Sequence, residues 1–134
     1  TVLPLAGLHL LLAEDNELNS EIATALLEEQ GASITAVENG RLALEAIRNA
    51  APRTYDAILM DVMMPEMNGL EATRCIRAFE GKGPGEGTPI IAMTANVFAD
   101  DVKACLDAGM NSHVGKPLDM KVLIGEILKY TDAR

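Results

Sequence analysis

The chain has 134 residues and a formal net charge of −9: long enough for one domain with a sizeable core, and too acidic for a nucleic-acid binder, which carries a basic patch. The same charge disfavours contact with anionic membrane surfaces. Apolar residues make up 49% of the chain but aromatics only 3%, with no Trp, so the core must be built from Leu, Ile, Val, Ala and Met.

Residues 1–7, with Pro4 and Gly7, read as a linker. Leu8 to Ala13 is an apolar run of strand length. Asp15 or Asn16 can cap the helix that follows. Leu18, Ile22, Ala25 and Leu26 recur at i, i+4, i+7 and i+8 and predict its inward stripe. Gly31 ends that helix. Ser33 to Val37 is a short strand. Asn39-Gly40 turns into a second helix with Leu42, Ala43, Ala46 and Ile47 inward, stopping before Pro52.

Asp56 to Asp61 is a third strand, broken soon after by Pro65. Asn68 to about Phe79 is a third helix, with Ala72, Ile76 and Phe79 on one stripe. The glycine-rich stretch 81–87 lacks the Gly-Lys-Ser/Thr ending of a phosphate-binding loop and does not follow a strand, so it reads as a flexible connector. Pro89 to Met93 is a fourth strand ending at Thr94. A helix from about Phe98 to Ala108 follows, closed by Gly109. Ser112 to Val114 is a short fifth strand ending near Lys116-Pro117. Asp119 caps a last helix through Tyr130, with Met120, Leu123, Ile124 and Ile127 inward. Residues 131–134 form a tail.

Strands alternating with helices imply parallel strands with helices on both faces. The expected fold is a doubly wound, flavodoxin-like α/β domain over residues 8–130. It has five parallel strands in the order 2-1-3-4-5 and five helices. In that order strands 1 and 3 flank the topological switch point, beyond whose C-terminal ends ligands bind. No apolar run approaches the ~18 residues of a membrane span, and no signal peptide is visible. Cys75 and Cys105 have no metal-ligand spacing and fall in predicted helices, which fits reduced thiols in a cytoplasmic protein. Thr at position 1 is what an excised module would show, and removal of an initiator Met before Thr would look the same.

Polar residues close four of the strands: Glu14-Asp15, Asp61, Thr94 and Lys116. Taken singly, each has a plain explanation. Asp15 could be a helix cap, Thr94 a turn residue, and Lys116 a solvated charge. Asp61 resists this, because the next helix starts too far away for it to cap. Together all four face one sheet edge. Three acids there cannot share a small site without a cation or a raised pKa. A pair about 5 Å apart repels by roughly 3 kcal/mol at an effective dielectric near 20. A divalent metal removes that penalty and prepares the site for a phosphoryl group.

Four stretches carry a family likeness: Leu-Leu-Ala-Glu-Asp-Asn at 11–16, Met-Asp-Val-Met-Met-Pro-Glu-Met-Asn-Gly at 60–69, Ile-Ile-Ala-Met-Thr-Ala-Asn at 90–96 and Gly-Lys-Pro-Leu at 115–118. The chain closely resembles the receiver domain of two-component response regulators, over about residues 8–130. Asn16 and Asn19 make it look most like the receiver module of a hybrid sensor histidine kinase. The resemblance implies that Asp61 takes a phosphoryl group from a phosphohistidine. It implies Mg²⁺ held by Asp15, Asp61 and the backbone carbonyl of Met63, with Glu14 acting through water. Lys116 and Thr94 would contact the phosphate, and Lys116-Pro117 would be a cis peptide. Thr94 would also be a switch residue, paired with His113, which stands where the family usually has Tyr or Phe. His9 reads as structural.

The implied partners are a histidine kinase domain, a histidine phosphotransfer protein, or both. The module would be cytoplasmic and monomeric, and a regulatory phosphoacceptor rather than an enzyme in its own right. Three other readings fit less well. A haloacid-dehalogenase-like phosphatase needs a second Asp two residues after the nucleophile, where Met63 stands. A flavodoxin-type carrier needs a hydroxyl-rich loop after the first strand, where Glu14-Asp15 would repel a phosphate. A degenerate scaffold would lack acceptor or metal residues, and none is missing.

Overall fold

The structure is a computed structural model that describes residues 3–83, 86–95 and 99–131. In chain order the elements are β1 (His9–Ala13), α1 (Glu17–Glu29), β2 (Ser33–Val37), α2 (Gly40–Asn49), β3 (Ala57–Asp61), α3 (Gly69–Glu80), β4 (Ile90–Thr94), α4 (Ala99–Ala108), β5 (Ser112–Gly115) and α5 (Met120–Thr131). The five strands form one parallel sheet in the order β2-β1-β3-β4-β5. The expected class and strand order are both present.

Side chains on a strand alternate between the two faces of its sheet, and the core divides accordingly. Leu10, Leu12, Leu59, Ile91, Met93 and Val114 pack with Ala23 and Leu27 of α1 and Leu123 and Ile127 of α5. Leu11, Ala13, Ile58, Met60, Ile90 and Ala92 pack on the other face, with Ala43 of α2, Ala72 and Ile76 of α3 and Cys105 of α4. The three inner strands are fully buried along most of their length. That is why they read as continuous apolar runs rather than as alternating ones.

Local chemistry sets the helix ends. Asn16, Asn39 and Asn68 are N-caps, each accepting from a backbone N–H three residues on. Asn68 forms a capping box with Glu71. Gly81 closes α3 in the left-handed conformation. Asp119 accepts from the N–H of Lys121 at 3.0 Å at the start of α5.

Several expectations need correction. The inward residues of α1 are Ala23 and Leu27, while Leu18 and Ile22 are 63% and 50% exposed and Ala25 is exposed. Residues 22/26 and 23/27 are both i, i+4 pairs, so periodicity alone cannot choose between them. Phe79 is 53% exposed. The buried arc of α3 runs through Ala72, Ile76, Thr73 and Arg77, and Phe79 falls at its rim.

Residues 3–7, expected as linker, are packed on the domain. Leu5 is fully buried and its N–H donates to the Gln30 carbonyl at 2.9 Å. Gly31, at φ +102°, lies so close that a Cβ there would come within 2.9 Å of the Ala6 backbone. The connector 81–87 is anchored by Glu80, whose carboxylate accepts from both N–H and Oγ1 of Thr88. Residues 1–2 of the expected linker, Pro84 and Gly85 of the connector, Asn96 of the third motif, the expected helix start at Phe98 and the tail residues 132–134 lie outside the described residues. Both cysteines are free thiols. His9 has the structural role expected of it: Nε2 lies 2.7 Å from Thr35 Oγ1, and the ring packs on Tyr55 at 4.8 Å. Among the described residues no helix is long and apolar enough to cross a membrane.

Candidate functional site

β1 and β3 are neighbours in register, Ala13 pairing with Met60. Glu14 and Asp15 leave β1 just as Asp61 ends β3, so the topology brings the three acids to one edge. One carboxylate oxygen from each lies within 4.8 Å of the others. Glu14 and Asp61 are buried and Asp15 is exposed. At that spacing a pair of carboxylates repels by about 3 kcal/mol at an effective dielectric of 20, and by less where Asp15 meets solvent.

Lys116 answers part of that charge. It follows β5 and crosses in front of β4, its own N–H donating to the Thr94 carbonyl at 2.9 Å. Its Nζ donates to Glu14 Oε1 and to Asp61 Oδ2, both at 3.0 Å. The Lys116–Pro117 peptide bond is cis. Burial pulls the Lys116 pKa down, but hydrogen bonds and charge from Glu14 and Asp61 outweigh it, and the ammonium is held above the ordinary lysine range. Three carboxylates and one ammonium leave two negative charges over. The surplus sits on oxygen donors, the set that a hard divalent cation prefers.

Thr94, the last residue of β4, is buried beside Asp61's strand, with Asp61 in register with Met93. Met63 lies in the loop after β3 and is 76% exposed. His113 is not part of the acid cluster. It pairs with Ala92 across β4–β5, while Thr94 pairs with Gly115. By strand alternation His113, Ala92 and Thr94 face the same side of the sheet, the side of α4.

Two groups of residues, one beside the site and one at the far edge of the sheet, were missed in the sequence. Asn39, Arg41 and Glu66 tie the β3–α3 loop to the start of α2. Asn39-Gly40 signalled only a turn, and nothing in a linear pattern pairs Arg41 with Glu66. Arg77 is buried on α3 with four partners at the far edge of the sheet. A lone Arg among apolar residues carries no signal of the carbonyls it will meet.

The response regulator receiver domain family model matches residues 10–128. The chain is 41% identical over 140 residues to a probable histidine kinase 1 of Oryza sativa subsp. indica, covering 84% of this chain and 14% of the kinase. It therefore spans a small part of that relative. Among solved structures, the receiver domain of sensor histidine kinase PA1611 of Pseudomonas aeruginosa, with magnesium coordinated in its active site cleft, superposes with a TM-score of 0.82. The two are 38% identical, with 95% of this chain and 99% of that one covered. The receiver domain of Ssk1 of Saccharomyces cerevisiae, solved with the histidine phosphotransfer protein Ypd1, superposes with a TM-score of 0.82 at 26% identity, covering 93% and 89%. With the family model matched over residues 10–128 and the fold shared over nearly its whole length, the chain belongs to the response regulator receiver domain family.

Proposed function

We propose that Asp61 is the phosphoacceptor of this domain, taking a phosphoryl group from a phosphohistidine. The observation that carries this is the meeting of Glu14, Asp15 and Asp61 within 4.8 Å, with Lys116 bonded to two of them and two negative charges left over. A purely structural cluster would be expected to close its own charge. Asp15, Asp61 and the Met63 carbonyl would hold Mg²⁺, with Glu14 acting through water. Bound there, the ion would neutralise phosphoryl oxygens during transfer.

The rest is the work of the side chains. An Asp61 carboxylate oxygen attacks phosphorus in line. The P–N bond to the donor imidazole breaks, and its electron pair leaves with the imidazole. Lys116 exchanges its bond to Asp61 for one to a phosphoryl oxygen, which places a positive charge where negative charge gathers. The Thr94 hydroxyl donates to a second phosphoryl oxygen. A phosphoryl group shifts a conformational equilibrium only by interacting differently with its two states, and Thr94 supplies that difference. Its movement opens space toward His113, one diagonal step away on the same sheet face. His113 moves inward, and the face of α4, β5 and α5 carries the signal. An imidazole is smaller and more polar than Tyr or Phe, so its inward state gains less from burial.

The exposed Ile22 on α1 lines a cleft with Asn19, Leu26, Lys116 and Pro117, and the exposed Leu18 lies one turn earlier on the same helix. A histidine phosphotransfer protein would dock there, next to the acids. The likeness to a receiver solved with such a protein supports this. The likeness to histidine kinases supports a module of a hybrid sensor kinase; in this reading it works on the cytoplasmic side, is monomeric by itself and, at a net charge of −9, makes no nucleic-acid or membrane contact. In this reading it is a regulatory phosphoacceptor rather than an enzyme. Incubation with acetyl phosphate and Mg²⁺, followed by intact mass, tests it: one added phosphoryl group is expected, and none would overturn it. Beryllofluoride shift mapping tests the switch. If Thr94 and Asp61 move while His113 and residues 99–108 do not, the output face is wrong.

A further inference from the structure

We infer that Glu66 is a positioning residue for the β3–α3 loop: it fastens that loop to the start of α2 and so presets the oxygen donors beside Asp61. This rests on the metal-binding reading proposed above. The loop begins right after Asp61 and ends at Gly69. Its near end is held by the sheet, Val62 N–H donating to the Met93 carbonyl at 3.2 Å. Its far end is held by α2. Gly40 N–H donates to the Met67 carbonyl at 2.9 Å, and a Cβ on Gly40 would stand 2.5 Å from that oxygen. Above this contact, Arg41 Nε and Asn39 Nδ2 both donate to one carboxylate oxygen of Glu66, at 3.1 and 3.3 Å. Met63 and Met64 lie between the two fixed ends, Met63 exposed and Met64 packed against the core.

Two observations separate this from an ordinary surface ion pair. The side chains of Arg41 and Glu66 are 48% and 58% exposed, and such a pair alone contributes little. Asn39, however, is buried and already spends its Oδ1 capping α2, so its amide N–H needs an acceptor, which Glu66 provides. Glu66 also has φ +65°. Gly or Asn would adopt that conformation at less cost. The carboxylate therefore stands in a backbone position that disfavours it, with its side chain committed to α2. A loop pinned at both ends loses less freedom when its carbonyl engages a cation, and that saving appears as affinity.

The test uses the chain as it is, with Mg²⁺ alone as probe, followed by NMR amide shifts and paired with thermal melting of the metal-free protein. Glu66→Gly removes the carboxylate and keeps a residue at ease with positive φ. It is expected to weaken Mg²⁺ binding about five-fold, below the range for supports that touch a metal ligand directly, without a matching loss of melting temperature. Arg41→Gln is expected to weaken binding in the same direction, and the double variant should be no weaker than Glu66→Gly. In metal-free Glu66→Gly the amides of Met63, Met64 and Met67 should exchange faster. Unchanged Mg²⁺ affinity in Glu66→Gly, additive losses in the double variant, or a loss that only tracks a fallen melting temperature would each overturn the inference while leaving the metal site standing. Absence of Mg²⁺-dependent shifts around Asp15 and Asp61 in the wild type would overturn the metal reading, and this inference with it.

Discussion

At the C-terminal edge of the sheet Lys116 bonds Glu14 and Asp61, each at 3.0 Å. At the opposite edge Arg77 bonds Glu80 at 3.1 Å, the carbonyls of Thr88 and Gly109 at 2.8 and 2.9 Å, and the Asn111 side chain at 2.9 Å. Each cation ties together segments far apart in the chain. The difference is in what it faces. Arg77 meets one carboxylate and three neutral acceptors, so charge and hydrogen bonds close together. Burial lowers its pKa, and Glu80 works against that shift. Lys116 bonds two carboxylates with a single charge, and a third, Asp15, lies within 4.8 Å of those two. The Arg77 cluster is complete and serves to hold α3 against the connectors before β4 and β5. The Lys116 cluster is left short of positive charge, and in the function proposed above that shortfall is what would let it take up a cation and then a phosphoryl group.

The largest expected effect breaks the open cluster. Asp61→Asn should fold and accept no phosphoryl group from acetyl phosphate with Mg²⁺, as read by intact mass. Wild-type labelling mapped to Asp15 or Thr94 would remove Asp61 from its role. Because one negative charge leaves a cluster with a surplus of two, the metal-free melting temperature should not fall.

Breaking the closed cluster should cost stability instead. Arg77→Met removes the guanidinium from Glu80 and three further acceptors, although Glu80 keeps Thr88 and Asn111 keeps the Ile90 N–H; a loss of about 3–5 kcal/mol is expected for a broken buried pair. Denaturant unfolding would measure it, and a loss below about 1 kcal/mol would mean that the cluster holds little. The Mg²⁺ affinity of this variant should stay at the wild-type level. A third experiment sharpens the contrast. Mg²⁺ at 100 times its dissociation constant should add about 2.7 kcal/mol to unfolding. The gain should persist in Arg77→Met and vanish in Asp15→Asn.

The smallest effect concerns pH. The folded pKa of Lys116 is raised, so its stabilisation is fully present below the unfolded lysine value of about 10.4 and is lost as pH climbs through the higher folded value. Without metal, melting temperature should drop more steeply above about pH 10 in wild type than in Lys116→Met. Parallel curves would show that the ammonium contributes nothing in the resting site.

The order of elements, the sheet topology and the edge where Glu14, Asp15, Asp61, Thr94 and Lys116 gather were legible in the linear chain. Fully buried strands must be unbroken apolar runs, helices must carry caps, and a parallel sheet sends the ends of its strands to one edge. The wrong face assigned to α1 and the misplaced Phe79 come from a limit of the same reasoning. An apolar period gives the width of a stripe but not its rotation against the sheet, and Leu18–Ile22 and Ala23–Leu27 could each have served. Leu5 looked like linker because a single buried Leu after Pro4 has no period at all.

Tertiary structure alone decided the partners of the charged side chains. Lys116 meets Glu14 across a separation of 102 residues, and Arg77 meets Asn111 across 34. Arg41 and Glu66 are joined by the close approach of Gly40 to Met67. Hydrophobic pattern is a property of neighbours along the chain and can be read there. A charge–charge or hydrogen-bonded pair depends on distances of a few ångströms between segments that only the folded sheet brings together.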